Sequence, residues 1–163
     1  MAIDPRLWSI GSRFDIPNFD DPEELYLTRW RIVQTPWFGV YLHRMLGPDS
    51  RPTIHDHPWS FTSIVLRGGY VERRLDPITR EIPLRKVRWV NRMRTHDAHA
   101  IMRLLRVPTW TLVFVGKRRR TWGYLEEASL LLPESTVTWT AFDKHDYDFL
   151  FRDALRRRKE MGL

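Results

Sequence analysis

With 163 residues, 42% of them apolar and eight of them tryptophan, the chain has the size and composition of one folded domain rather than a disordered segment. It contains no cysteine, which excludes disulfides, thiolate metal sites and cysteine nucleophiles, and no apolar run approaches the ~20 residues of a membrane span. The formal charge of +7 is uneven: residues 1–27 hold six acids against Arg6 and Arg13, a net of −4, so the remainder carries +11.

The start, "MAIDPRLWSIGSRFD", has neither the basic beginning nor the apolar middle of a signal peptide, so a cytoplasmic protein is expected. Residues 1–26, acidic and punctuated by Pro5, Pro17 and Pro22, predict an N-terminal arm, extended or as a short helix on the surface. Strand-like segments follow at 27–34, 37–46, 61–75, 83–90, 99–107 and 110–118, rich in Val, Ile, Thr, Trp and Tyr. Turn signals separate them at "QTP", "GPDS", "LDPITR" and "VPT". Many short strands at this spacing predict an all-β antiparallel barrel or sandwich over residues 27–142 rather than a βαβ fold. In 110–118, Trp110, Leu112 and Phe114 share one face and Thr111, Val113 and Val115 the other, while Gly116 and Gly123 are candidate corner bends. Trp122 and Tyr124 are candidates to wall a pocket or to fill the core.

The end of the chain changes period. Tyr147, Leu150, Phe151, Ala154 and Leu155 follow a helical stripe, so a helix over 143–163 is expected to pack outside the sheet, with Asp143 as its N-cap. Nothing marks a linker or a repeat, and the whole reads as one domain. The basic runs "KRRR" (117–120) and "RRRK" (156–159) are able to attract nucleic acid. They lack interleaved aromatics for base stacking, so a solvated surface is the preferred reading.

The histidines carry the chemistry. In "TIHDHPWSF", His55 and His57 are two apart, so in extended chain both face one side and Asp56 faces the other. Imidazole suits Zn, Fe, Ni and Cu, and a further ligand must come from elsewhere in the fold. His99, opening "HAIMRLLRV", completes a three-histidine face if its strand lies antiparallel to that run; His96 stands three residues earlier. The alternative is a pair of hydrogen-bonded histidines at a strand end. Glu72 is either a carboxylate ligand on the same face or an exposed ion-pair partner beside Arg73 and Arg74. His43, with Tyr41 and Met45 on its face, is the candidate catalytic base or fourth ligand, or else a hydrogen-bonded core residue. His145 reads as a surface or capping residue. Arg44, Arg88 and Arg103 are candidate clamps for an anionic substrate, with solvent-facing positions as the alternative.

The stretch "HDHPWSFTSIVLRGGY", followed by a later histidine, resembles the cupin superfamily, whose first motif runs roughly G-x5-H-x-H-x3-4-E-x6-G. His55 and His57 match its histidines and Gly68 its closing glycine; Phe61 occupies the glutamate position and the leading glycine is displaced to Gly47. Of the second motif only His99 is retained, with His96 and Arg103 in the places of its last glycine and its asparagine. The likeness covers roughly residues 37–118 and extends to cupin-like proteins of bacteria and their phages with a similar "HDHPW…GGY.E" and a later "WTL…G…WG". It implies a single jelly-roll barrel with a divalent metal, Fe(II) favoured over Zn, Mn or Ni, on His55, His57 and His99. Three-histidine iron centres are used by thiol dioxygenases of that superfamily, so the resemblance implies a dioxygenase acting on a small, anionic substrate. An isomerase, epimerase or lyase is the alternative, as is a non-catalytic small-ligand or nucleic-acid-binding module. A homodimer is one assembly the resemblance allows, because cupin sheets often pair; the sequence leaves the oligomeric state open.

Overall fold

A computed structural model describes residues 9–18, 24–49, 53–125, 139–141, 153 and 156–162. Among these residues the chain forms eleven strands and one short helical segment at 156–160. The strands are β1 (Ser9–Pro17), β2 (Leu25–Gln34), β3 (Gly39–Met45), β4 (Phe61–Arg67), β5 (Tyr70–Arg74) and β6 (Leu84–Val87). They continue with β7 (Val90–Met93), β8 (His99–Leu104), β9 (Thr109–Val115), β10 (Gly123–Leu125) and β11 (Trp139–Ala141). A six-stranded sheet has the order β1-β2-β3-β9-β4-β7, and a smaller one the order β6-β5-β8. All pairings are antiparallel. The core lies between the two sheets: Ile16, Leu27, Met45 and Val65 from the first pack with Tyr70 and Val87 from the second.

The smaller sheet is extended by the histidine run itself. His55 makes reciprocal backbone hydrogen bonds with His99 at 2.9 Å, and it also bridges to Tyr124. Residues 54–56 therefore lie between β8 and β10, and the β10-β11 hairpin continues the wall. Parity then decides which side chains face inward. Ile54, Ala98 and Ala100 bury on the outer side beneath Leu75, Ile82, Met102 and Leu125, turning His55 and His99 toward the interior. Complete burial of Ile54 contributes roughly 1.5–3 kcal/mol to holding that orientation.

Two predicted strands are each two strands. The run 61–75 breaks at Gly68 and Gly69, with φ of 88° and 125°, and crosses from the large sheet into the small one. The run 83–90 likewise splits into β6 and β7 on different sheets. Residues 9–17 of the expected arm are extended, as an edge strand of the large sheet rather than an appendage, paired from Ser9↔Gln34 to Pro17↔Leu25. The proposed helix stripe from Tyr147 to Leu155, its cap Asp143, and His145 lie outside the described residues. On the outward face of the large sheet an apolar row runs Trp30–Leu42–Leu112–Ile64–Val90 across five strands. Among the described residues, no helix is long and apolar enough to cross a membrane.

Gly68 is required by geometry as well as by φ. A Cβ there would stand 2.5 Å from Thr109 Oγ1 and 3.2 Å from Thr109 Cα. Thr109 in turn holds the crossover, accepting from Gly69 N at 3.2 Å. Gly68→Ala is expected to cost on the order of 2–4 kcal/mol and to lower Tm by roughly 5–15 °C in thermal denaturation; an unchanged Tm would contradict this account of the crossover.

Candidate metal centre

His55, His57 and His99 converge, with one ring nitrogen of each lying within 4.8 Å of the other two. The nitrogens that meet can be named from their neighbours. His55 Nδ1 is 3.1 Å from the Thr53 carbonyl, which can only accept, so the proton sits on Nδ1 and Nε2 carries the lone pair. His99 Nδ1 is 2.7 Å from Glu72 Oε2, and the carboxylate fixes the same tautomer there. His57 Nε2 lies 2.9 Å from His99 Nε2. Two lone pairs cannot face each other at that distance without a proton or a cation between them. The donor set therefore fits a divalent ion: three imidazoles, two with their outward nitrogen already engaged.

The electrostatics point the same way. His57 is held well below the ordinary histidine value, first by burial and then by the nearby His99, His55 and Arg29. His55 is also lowered, chiefly by burial, although Asp49 works against the shift. Neutral imidazole is the form that ligates, so these two side chains need not shed a proton to do so.

Glu72 fits neither of the roles expected for it. It is not an exposed ion-pair partner, because β5 places it wholly buried at 0% exposure. Nor does it join the convergent nitrogens; it stands behind His99. Its Oε2 also accepts from Asn91 Nδ2 at 2.8 Å, and the same amide nitrogen reaches Tyr70 Oη at 3.0 Å. Asn91 Oδ1 accepts from Arg74 Nη1 at 3.2 Å. This buried network ties β7 of the large sheet to β5 and β8 of the small one. Arg85 Nη1 approaches Glu72 Oε1 only to 3.9 Å. Burial and the Glu72 charge raise the Tyr70 hydroxyl's pKa, which keeps it a neutral hydrogen-bonding group.

Phe61, at the position of the motif glutamate, packs edge-on to His57 with ring centroids 4.9 Å apart. Trp122 and Tyr124 wall the other side, 5.9 and 6.4 Å from the His55 ring. A cavity of about 760 Å³ opens around Phe61, Arg74, Met93 and Asp97, and does not include the three histidines. Asp56 faces away from them, as strand parity requires. Its carboxylate accepts from Gly123 N and Trp139 Nε1, both at 2.8 Å, and pairs with Arg120. One arginine of the "KRRR" run is thus an internal tie that fastens the β10-β11 hairpin beside the site. His96 lies outside the trio, with its Nδ1 3.1 Å from Arg120 Nη1.

His43 sits on β3, and its Nε2 accepts from Arg29 Nε at 3.0 Å. Burial, and then the Arg29 charge, hold it well below the usual histidine value. Of the arginines singled out as clamps, Arg88 and Arg103 are exposed. Arg44 pairs with outward-facing Trp110 in register. Arg29, which faces the interior, and the network residue Asn91 were not singled out; their only sequence signal is alternation within "LTRWRIVQ" and "VNRM".

No protein-family model matches the chain, and no curated protein matches its sequence. Similar solved structures exist. KdgF from Halomonas sp. superposes with a TM-score of 0.50 at 14% identity, over 68% of this chain and 96% of that one. An oxalate decarboxylase variant from Bacillus subtilis gives 0.48 at 11%, over 69% of this chain, which spans only 31% of the decarboxylase. A single-residue variant of Streptomyces Pac13 with uridine gives 0.46 at 9%, over 90% and 95% of the two chains. The fold is the cupin fold.

Two outcomes follow from this geometry. Glu72→Gln, which preserves volume but not charge, is expected to weaken metal affinity by about 10–100-fold in a chelator competition titration; unchanged affinity would remove Glu72 from the site. In chelator, stability is expected to fall as pH drops below about 6.5. The lowered values of His43, His55 and His57 mean that the unfolded chain binds more protons there, so acid favours unfolding. A Tm that is flat or rising from pH 7 to pH 5.5 would contradict this sign.

Proposed function

We propose that this cupin-fold chain is a metal-dependent enzyme of dioxygenase type, acting on a small molecule at Fe(II) held by His55, His57 and His99. The observation that carries the reading is the all-imidazole donor set. Phe61 stands where a carboxylate ligand is expected, and Glu72 is withdrawn behind His99. A divalent ion among three neutral imidazoles keeps its full +2 charge and, as Fe(II), supplies O₂ chemistry. The chain's own residues do the rest. Glu72 holds the proton on His99 Nδ1 and so keeps Nε2 pointed inward. Phe61, Trp122 and Tyr124 restrict water around the rings, and the Asp56–Arg120 tie holds the hairpin that carries Tyr124.

The same centre serves a metal-dependent isomerase, epimerase or lyase, and oxygen consumption separates the two. Purified without a histidine tag and supplied with Fe, Mn, Ni or Zn, the protein is expected to retain about one ion per chain. His57→Ala and His99→Ala are each expected to abolish retention, and His145→Ala to leave it intact. A ratio near zero with all four metals ends the metal reading. With metal bound, turnover of a small molecule by the Fe(II) form should consume O₂; turnover without O₂ uptake selects the isomerase or lyase. The reading includes a cytoplasmic homodimer that pairs through the outward row from Trp30 to Val90, and a monomer by light scattering would exclude that pairing.

A further inference from the structure

Arg29 faces the same interior as the three histidines. The large sheet places Phe14, Arg29, His43, Thr111 and Val65 in one cross-strand row. Thr111 and Val65 are buried, so this is the inward side. The Arg29 guanidinium lies 5.5 Å over the ring of Tyr41. Tyr41 packs in one cluster with Trp59 and Phe61, and Phe61 meets His57 edge-on.

Arg29 is held differently from the chain's carboxylate-paired arginines. Arg13 pairs with Asp15, Arg74 with Asp97, Arg120 with Asp56, and Arg156 with Asp153. Among the described residues, no carboxylate pairs with Arg29. Its Nε is spent on His43 Nε2, which must be the lone-pair nitrogen of a neutral ring because an arginine can only donate. A neutral holder fixes the side chain without cancelling its charge, and it leaves both Nη nitrogens to donate. A half-buried guanidinium beside a divalent-ion site is costly until an anion arrives. The planar two-nitrogen edge matches one carboxylate in geometry and in charge.

We propose that Arg29, positioned by His43, is the anion-recognising residue of the site, and that the substrate is a small carboxylic acid with a second donor group that reaches the metal. The inference rests on the three-histidine metal reading, and its test separates the two. Co(II)-loaded protein is titrated, by its visible spectrum, with β-alanine, 4-aminobutyrate and 5-aminovalerate, each against its own carboxamide. The amine supplies the metal donor, and the chain length varies its distance from the carboxylate. At least one acid is expected to bind about tenfold or more tightly than its amide. In Arg29→Gln that ratio should collapse toward one while Co(II) content and amide affinity persist; Arg29→Lys, which keeps the charge but not the fork, should retain part of it. His43→Gln, whose amide oxygen can still accept from Nε, should keep most of the ratio, and His43→Ala should lose it. Ratios near one for every acid in the Co(II)-bound wild type, or a ratio preserved in Arg29→Gln, overturn the proposal alone. No Co(II) spectrum in the wild type overturns the metal reading and this inference with it.

Discussion

The hydrogen bond between Glu72 and His99, 2.7 Å long and sealed from water, is the interaction on which the site depends. Burying a carboxylate is costly unless hydrogen bonds or a cation offset it; Glu72 Oε1 has no hydrogen-bond partner and meets Arg85 Nη1 only at 3.9 Å, so the offset comes at Oε2. Here the imidazole and Asn91 both donate to one oxygen, and Asn91 comes from the opposite sheet. The carboxylate therefore does two things. It fixes the tautomer and direction of His99 within the small sheet, and through Asn91 it gives the two sheets a buried polar contact. A site that lacks a carboxylate ligand still has a carboxylate working on it, one atom shell further out.

The position of the other two histidines follows from how the chain crosses between sheets. Residues 54–56 are wedged between β8 and β10, so the His55 backbone bonds set its height against His99. Immediately afterwards the chain leaves for β4, and Phe61 enters the large sheet beside Val115 and Met93. Asp56, unable to face the centre, fastens Arg120, Gly123 and Trp139 on the outer side. A three-residue stretch thus places two imidazoles inside and one anchor outside.

The trio and the antiparallel barrel were legible because both rest on period-two parity, which the sequence displays directly. His55 and His57 had to share a face, and Phe61 visibly replaced a carboxylate. Glu72 was not legible in its true role, because whether it ligates or backs a ligand depends on how far β5 sits from the ion and on a partner in β7. Arg29 was missed for a related reason: alternation shows that Leu27, Arg29 and Arg31 share a side, but not that this side is inward. The breaks at Gly68–Gly69 and at Arg88–Trp89 were hidden inside continuous apolar runs that read as single strands. Two adjacent glycines were the available sign of the first, and Gly68 was valued only for its motif position.

The most direct measurement is a crystal structure of the metal-loaded protein with anomalous scattering collected at the metal edge. The account predicts one anomalous peak within bonding distance of Nε2 of His55, His57 and His99, with Glu72 bonded to His99 Nδ1 rather than to the ion. A peak coordinated by Glu72, or one that leaves any of the three histidines unbound, would contradict it.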